Sequence, residues 1–297
     1  MLFDAVIPVH KNDIRTLEHC IKGIKCNAIN LRNVYYISDY EYSQNAIWCN
    51  QQLFPFKFKE IKALTYGKAS IWVYQQLLKL YAPLIIPNIL PNILILDCDT
   101  IFFKKVNFFE KSIPLYNLGK DLNLFKSEFY CQTTEHIKKL IPQIEKKYPE
   151  IFFNSSKDYD LLCDRFLKKL NYLSYSHKNR AKYLKSGVCN HMIFQRNIIE
   201  HLFEVVKRND RSNDEFYKIF LRKFLNLNFV SEYNLYFYFL ITYYPQSYKI
   251  RMLKYNSTSV FKPHIDMMRF KYDYCSYHSH LANDSIISRI VNKITLN

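Results

Sequence analysis

The sequence predicts an α/β fold: a mixed, mostly parallel sheet flanked by helices and carrying a helical insertion. One observation predicts it, and two more bound what such a fold could hold. Short apolar runs that read as buried strands alternate with helical periodicities through the first third of the chain. Glycine is scarce, with four in 297 residues, and Gly23, Gly67, Gly119 and Gly187 each stand alone. One apolar run then ends in two carboxylates a single residue apart, Asp97 and Asp99.

The elements follow in order. Leu2–Val9 is a continuous apolar run with one acid, the pattern of a buried strand. Asn12 or Asp13 can cap a helix reaching about Cys26, with Ile14, Leu17, Ile21 and Ile24 at helical spacing. Val34–Ser38 reads as a second strand and Phe56–Ile61 as a third. Ser70 is expected to cap a helix over Ile71–Tyr81, before the short, wholly apolar strand Ile93–Leu96. Residues 127–185 read as helical and strongly basic, a lid or insertion within one domain spanning 1–297, because no Pro/Ser-rich linker isolates them. Val188–Phe194 reads as another buried strand, Tyr233–Tyr244 as an aromatic helix and Tyr248–Leu253 as a late strand.

Composition bounds the function. Hydrophobic residues at 49% and aromatics at 17% can bury a large core, which excludes a disordered chain. Isolated glycines cannot write a Walker A loop or a dinucleotide fingerprint, so any bound phosphate is held by a metal, side chains or helix ends. The net charge is +16, from 42 Lys and Arg against 26 Asp and Glu. Part of it fits an AT-biased coding sequence, and the lysine runs read as solvated helix faces. Eight cysteines without Cys-x-x-Cys spacing imply reduced thiols in a cytosolic protein. The opening residues lack a basic leader, so no signal peptide is expected. Leu77–Ile95 carries Lys79 and three prolines, and Tyr233–Tyr244 falls short of the ~20 residues of a membrane helix.

The sharpest feature is Ile93-Leu-Ile-Leu-Asp97-Cys-Asp99-Thr. Ligands of open α/β sheets bind at the carboxyl ends of strands. Two acids there repel each other unless a cation satisfies them, and oxygen-only ligands suit Mg²⁺ or Mn²⁺. The alternative is a strand end with solvated turn acids. On the helix at Ser70, Trp72, Gln75, Gln76 and Lys79 share one face, an apolar ring beside two amides and a cation; a boundary helix with a snorkelling lysine accounts for them equally. Lys68 precedes that helix and can approach a phosphate near its N-terminus. Asp39, just after the second strand, is a candidate for nucleotide base or ribose contact, or a plain turn acid.

The segment around Asp97 and Asp99 resembles the Asp-x-Asp motif of GT-A glycosyltransferases, the nucleotide-diphospho-sugar transferase superfamily. Asp4-Ala-Val-Ile-Pro-Val-His10 resembles the first strand of that Rossmann-like fold, whose end touches the nucleotide base. Trp72–Ala82, Ser186–Met192 and Ser231–Tyr236 are similar to segments of one branch, the domain-of-unknown-function 6492 family. The resemblance implies a metal-dependent glycosyltransferase acting in glycan biosynthesis. Its partners would be a nucleotide-sugar donor and a glycan, lipid-linked or protein hydroxyl acceptor. Asp97 and Asp99 would bind Mn²⁺ or Mg²⁺ with His278, or His280, as a further ligand. Pro8, Val9, Asp39, Lys68, Gln76, Asp97 and Gly187 would contact the donor, and His191 and Glu232 would serve catalysis; on the residues alone, His191 reads equally as a satisfied core histidine and Glu232 as an acid at its helix N-terminus. The related proteins carry Arg where this chain has Lys68.

Two other classes compete. Haloacid-dehalogenase phosphatases also place Asp-x-Asp after an apolar strand, but with Thr two residues beyond the second acid; here Thr100 follows Asp99 directly, about a hundred residues into the chain. A basic, aromatic-rich nucleic-acid module fits the charge, yet no nucleic-acid motif is present, so no specific nucleic acid is expected. The charge also suits a peripheral approach to an acidic membrane surface.

Overall fold

A computed structural model describes residues 1–67, 69–119, 128–152, 169, 187–258 and 265–277. Lys68, Gly119's followers through residue 127, most of the expected insertion, Ser186, His278 and His280 lie outside these described residues.

The centre is a five-stranded sheet built from β1 (Phe3–Pro8), β2 (Leu31–Ser38), β3 (Ile47–Asn50), β4 (Asn92–Leu96) and β8 (His191–Gln195). Its spatial order is β3-β2-β1-β4-β8; the first four strands are parallel and β8 runs antiparallel to β4. Every residue of β1 and β4 is buried, which explains why these two strands read as unbroken apolar runs. The buried Asp4 is satisfied by Arg32 and by the backbone N–H groups of Asn33 and Leu90, so it ties β1 to the entries of β2 and β4.

Helices cover the sheet. α1 (Ile14–Asn27) buries Leu17, Ile21 and Ile24 of the predicted stripe, with Cys20 beside them, while Ile14 is half-buried. At Gly23 it lies so close to β5 (Thr100–Phe102) that an added Cβ would stand 3.0 Å from the Phe102 backbone. α2 (Phe58–Leu64) and α3 (Ser70–Ile85) follow β3. Two short strands, β6 (Phe109–Glu110) and β7 (Ile113–Asn117), precede α4 (Glu128–Leu140) and α5 (Pro142–Lys147), the helical part of the insertion that is described. After β8 come α6 (Arg196–Asp210), α7 (Phe216–Phe224) and α8 (Glu232–Tyr243), then β9 (Lys249–Arg251), β10 (Tyr255–Thr258), α9 (Ile265–Lys271) and β11 (Tyr274–Tyr277). α8 is buried from Glu232 to Thr242, which is why it is apolar on all sides. Among the described residues, no helix is long and apolar enough to cross a membrane.

Three expectations change. Residues 58–61 are helix, not strand. The alternation of Phe54, Phe56 and Phe58 imitates a strand, but Phe54 and Phe56 are wedges, and Phe56 packs on Tyr74, Tyr81 and Tyr217. The third strand is instead Ile47–Asn50, an edge strand with only Cys49 buried and so little apolar signal. Ser70 is the first residue of α3 and not its cap: Ala69 holds that place at φ 45° without a side-chain bond. The helix also outruns its prediction, ending at Ile85 with Pro83 in its last turn.

Candidate functional site

The sheet order positions the site. The chain runs from β1 outward through β2 and β3, then returns to place β4 on the other side of β1. Such a reversal opens a crevice at the carboxyl ends of the two central strands. The register of β1 with β4 pairs Val6 with Ile95; two residues further along stand Pro8 and Asp97. The strand ends singled out by the sequence therefore emerge side by side.

A cleft of about 310 Å³ opens here, lined by Pro8, Val9, Asp39, Tyr74 and Gln75 among others. Thus three expected donor contacts, Pro8, Val9 and Asp39, share one cavity, with α3 as its far wall. Asp39 is exposed, and its Oδ1 accepts from the Tyr40 backbone N–H at 3.1 Å and the Tyr42 hydroxyl at 2.8 Å. His10, on the lining, has its pKa lowered by burial and by Lys11, against an opposing pull from Asp39.

Beside the cleft lies a buried charge centre that the sequence did not foretell. Lys79 of α3 donates to Asp97 Oδ1, and to Glu232 Oε1 at 2.6 Å. The side chains of Lys79, Asp97 and Glu232 are 3%, 19% and 2% exposed. Burial works against the charge on Lys79, yet the two carboxylates outweigh it and hold its pKa above the ordinary lysine value. Burial raises Glu232 in turn. Tyr233 completes the centre: its hydroxyl donates to Asp97 Oδ1 at 3.2 Å, and its ring lies 4.5 Å from the Lys79 nitrogen.

Asp97 is held from the other side by Asn190. The Asp97 N–H donates to the Asn190 carbonyl at 3.0 Å, and Asn190 Nδ2 donates to Asp97 Oδ2 at 3.3 Å. Among the described residues, Oδ1 thus serves two donors and Oδ2 one. A carboxylate oxygen accepts about two hydrogen bonds, so Asp97 keeps one acceptor position, on Oδ2. Asp99 is half-buried, and its carbonyl accepts from the Tyr277 N–H at 2.9 Å.

This donor set bears on the expected Mn²⁺ or Mg²⁺. Among the described residues, no three His, Cys, Asp or Glu side chains cluster tightly enough to cage a metal. One monodentate oxygen from Asp97 and the half-buried Asp99 carboxylate fit the other mode, in which one or two carboxylates hold an ion together with substrate phosphates.

Other expected residues are placed differently. His191 is 2% exposed, and its ring is walled by Phe102, Phe108 and Tyr274. Its Nδ1 donates to the Cys189 carbonyl, and burial pushes its pKa down to about 3. A neutral imidazole in an aromatic box is the placement of a satisfied core residue. Glu232 is buried as the partner of Lys79, with its side chain 2% exposed. Gly187 faces protein: a Cβ there would stand 2.7 Å from Phe237 Cβ, and its N–H donates to Asn234 Oδ1 at 2.9 Å. Its role is the close approach of the 187–190 segment to α8. Gln76 is buried and accepts from the Glu232 N–H at 3.3 Å, so it too supports the centre from below. Lys68 and His278 lie outside the described residues.

No family model matches the chain, that of the domain-of-unknown-function 6492 family included, and no curated protein matches it. Among solved structures the chain is similar to mouse xyloside xylosyltransferase 1, at 9% identity over 93% of this chain and 97% of that one, with a TM-score of 0.42. It is similar to the bifunctional glycosyltransferase WbbM at 12% identity, over 93% of this chain and 45% of that one, with a TM-score of 0.40. It is also similar to the mannosyltransferase Ktr4p of S. cerevisiae at 9% identity, over 73% of this chain and 64% of that one, again with a TM-score of 0.40. Likenesses this distant decide nothing about chemistry, which rests on the chain's own residues.

Proposed function

We propose that the protein transfers a sugar from a nucleotide-diphosphate sugar to a hydroxyl acceptor, on a glycan, a lipid-linked saccharide or a protein. The observation that carries this reading is the meeting of the cleft at Pro8, Val9 and Asp39 with the Asp97–Asp99 strand end at one reversal of sheet order. The cleft is of a size to seat a nucleoside, and the carboxylate pair at the adjacent strand end would meet its diphosphate. That arrangement holds a diphosphate without a glycine cradle, in keeping with a chain of four isolated glycines.

The residues divide the work. Tyr74 offers an aromatic wall to a base, and Asp39 Oδ2 offers an acceptor to a ribose hydroxyl or base N–H. Asp97, through Oδ2, and Asp99 would hold Mn²⁺ or Mg²⁺. When bound, that ion supplies Lewis acidity toward the departing nucleoside diphosphate. Lys79, Tyr233 and Asn190 fix the Asp97 carboxylate in one orientation, so the site is ordered before a ligand arrives. The reading places the protein in the cytoplasm, at or near a membrane where glycans are assembled.

A thermal-shift screen of UDP-, GDP- and CMP-linked sugars with and without Mn²⁺ tests it. Stabilisation by one nucleotide class that requires metal, and that Asp99→Ala abolishes, is the expected result. Donor binding and hydrolysis that persist in Asp99→Ala overturn the central assignment.

A further inference from the structure

Trp72 does not line the donor cleft, although its chain neighbour Ile71 does. It points instead toward the segment before α8, where its Nε1 donates to the Val230 carbonyl at 2.9 Å. Its ring meets Phe129 edge-on at 6.1 Å, and Phe129 meets Phe229 in the same manner at 5.5 Å. The indole is therefore fixed by a hydrogen bond at one edge and an aromatic contact at another, yet it is 40% exposed. A large ring so tightly oriented and so open to water calls for a ligand more than a ring that merely fills space.

The polar groups around these rings identify the ligand's chemistry. Glu128 adjoins Phe129 in the chain and is exposed; its Oε1 accepts from Gln132 Nε2 at 2.5 Å and from Asn228 Nδ2 at 3.2 Å. Gln132 Oε1 in turn accepts from the backbone N–H groups of Asn228 and Phe229. An aromatic face bordered by a carboxylate and planar amides matches a pyranose, which offers an apolar C–H face and hydroxyls at its edge. A polyanion would find the Glu128 carboxylate repulsive.

Position completes the argument. Trp72 and Lys79 are seven residues apart on one face of α3, so the indole lies about 10 Å along the helix from the lysine that holds Asp97. That span exceeds a single pyranose. We infer that Trp72, with Phe129, Glu128 and Asn228, forms a saccharide platform that seats the acceptor one or more sugar units away from the transfer point. Its role as an acceptor seat rests on the transferase reading, whereas its affinity for saccharides is measured independently.

The chain contains two tryptophans, Trp48 and Trp72. Trp48→Phe removes the other fluorophore at low cost, because the buried Trp48 Nε1 has no hydrogen-bond partner among the described residues. In that variant, lactose, maltotriose, chitotriose and xylotriose are titrated at millimolar concentrations while Trp72 emission is followed. UDP and GDP binding with Mn²⁺ is measured in parallel by calorimetry. The expected result is a saturable change in emission with at least one saccharide. Trp72→Ala in the native chain should weaken that saccharide about tenfold by calorimetry, Trp72→Phe should weaken it less, and nucleotide binding should be unchanged in both. Nucleotide binding without any saccharide response overturns the platform and leaves the transferase reading standing. Saccharide binding without nucleotide binding does the reverse. Quenching by a single-stranded oligonucleotide alone also overturns the platform.

Discussion

Lys79 and Glu232, far apart in the chain, form an ion pair of 2.6 Å whose side chains are only 3% and 2% exposed. Two helices, α3 and α8, are thereby joined at the point where the end of β4 delivers Asp97.

Removing the cation leaves two carboxylates without their buried partner. Lys79→Met should lower stability by about 3–5 kcal/mol, read from urea denaturation. The double variant Lys79→Met, Glu232→Leu should recover much of that loss, since one stranded charge is gone. A single variant within error of the parent would show that the centre contributes nothing to folding.

Asp97 and Asp99 should separate in their effects. Asp97→Asn breaks the ion pair with Lys79, so it should cost about 3 kcal/mol in stability as well as nucleotide binding. Asp99→Asn stands outside that pair and should cost less than about 1 kcal/mol while abolishing metal-linked stabilisation by nucleotide. Equal losses of stability in the two variants would contradict this division.

Gly187→Ala tests packing. The added methyl would stand 2.7 Å from Phe237 Cβ, on a buried helix that cannot readily shift. A loss of about 1–3 kcal/mol is expected, with a lower Tm and with nucleotide binding retained in the folded fraction. A neutral outcome would mean that the 187–190 segment moves away from α8 at little cost.

Acid should destabilise the protein through its core histidines. Burial pushes His136 down to about 4 and His191 to about 3, below the ordinary value of 6.5. Because the folded values are depressed, the unfolded chain takes up protons first. The stabilising contribution is complete above about pH 6.5 and is lost progressively as pH falls toward 4 and 3, at up to about 1.4 kcal/mol per pH unit for each histidine. His136 Nε2 donates to the Phe220 carbonyl, a bond that an amide can keep, so His136→Gln should flatten the slope of urea midpoint against pH. An unchanged slope would assign the acid sensitivity to other groups.

The fold was legible where burial is complete. β1 and β4 announce themselves because both faces are covered, and α1 because Leu17, Ile21 and Ile24 keep helical spacing on one buried side. β3 was not, because an edge strand with one buried residue carries almost no pattern. Phe56–Ile61 misled because rings at alternate positions can be wedges as well as strand residues. At the site, Asp39 stood out from its place after the second strand, and Pro8 and Val9 through the resemblance of the first strand; the structure lines one cavity with all three. The partnership of Lys79 with Asp97 and Glu232 was not visible: helical spacing put Lys79 on a face with Gln76 and Trp72, but the contact with α8 spans 153 residues of sequence. His191 and Gly187 could be read two ways, because a histidine and a glycine beside a strand carry the same letters whether they face a ligand or the core; the structure sets both against protein.

The pair of hydrogen bonds between Asp97 and Asn190 has a consequence for recognition. Ordering a free side chain at a binding surface costs about 0.5–1.5 kcal/mol. Here the sheet has already met that cost: the Asp97 N–H and carboxylate are both anchored to one residue at the mouth of the neighbouring strand. The position of the carboxylate is set by the pairing of β4 with β8, so a ligand taken at Oδ2 would meet a carboxylate already oriented. Affinity at this point should therefore respond more to changes in strand pairing than to changes in the surrounding loops.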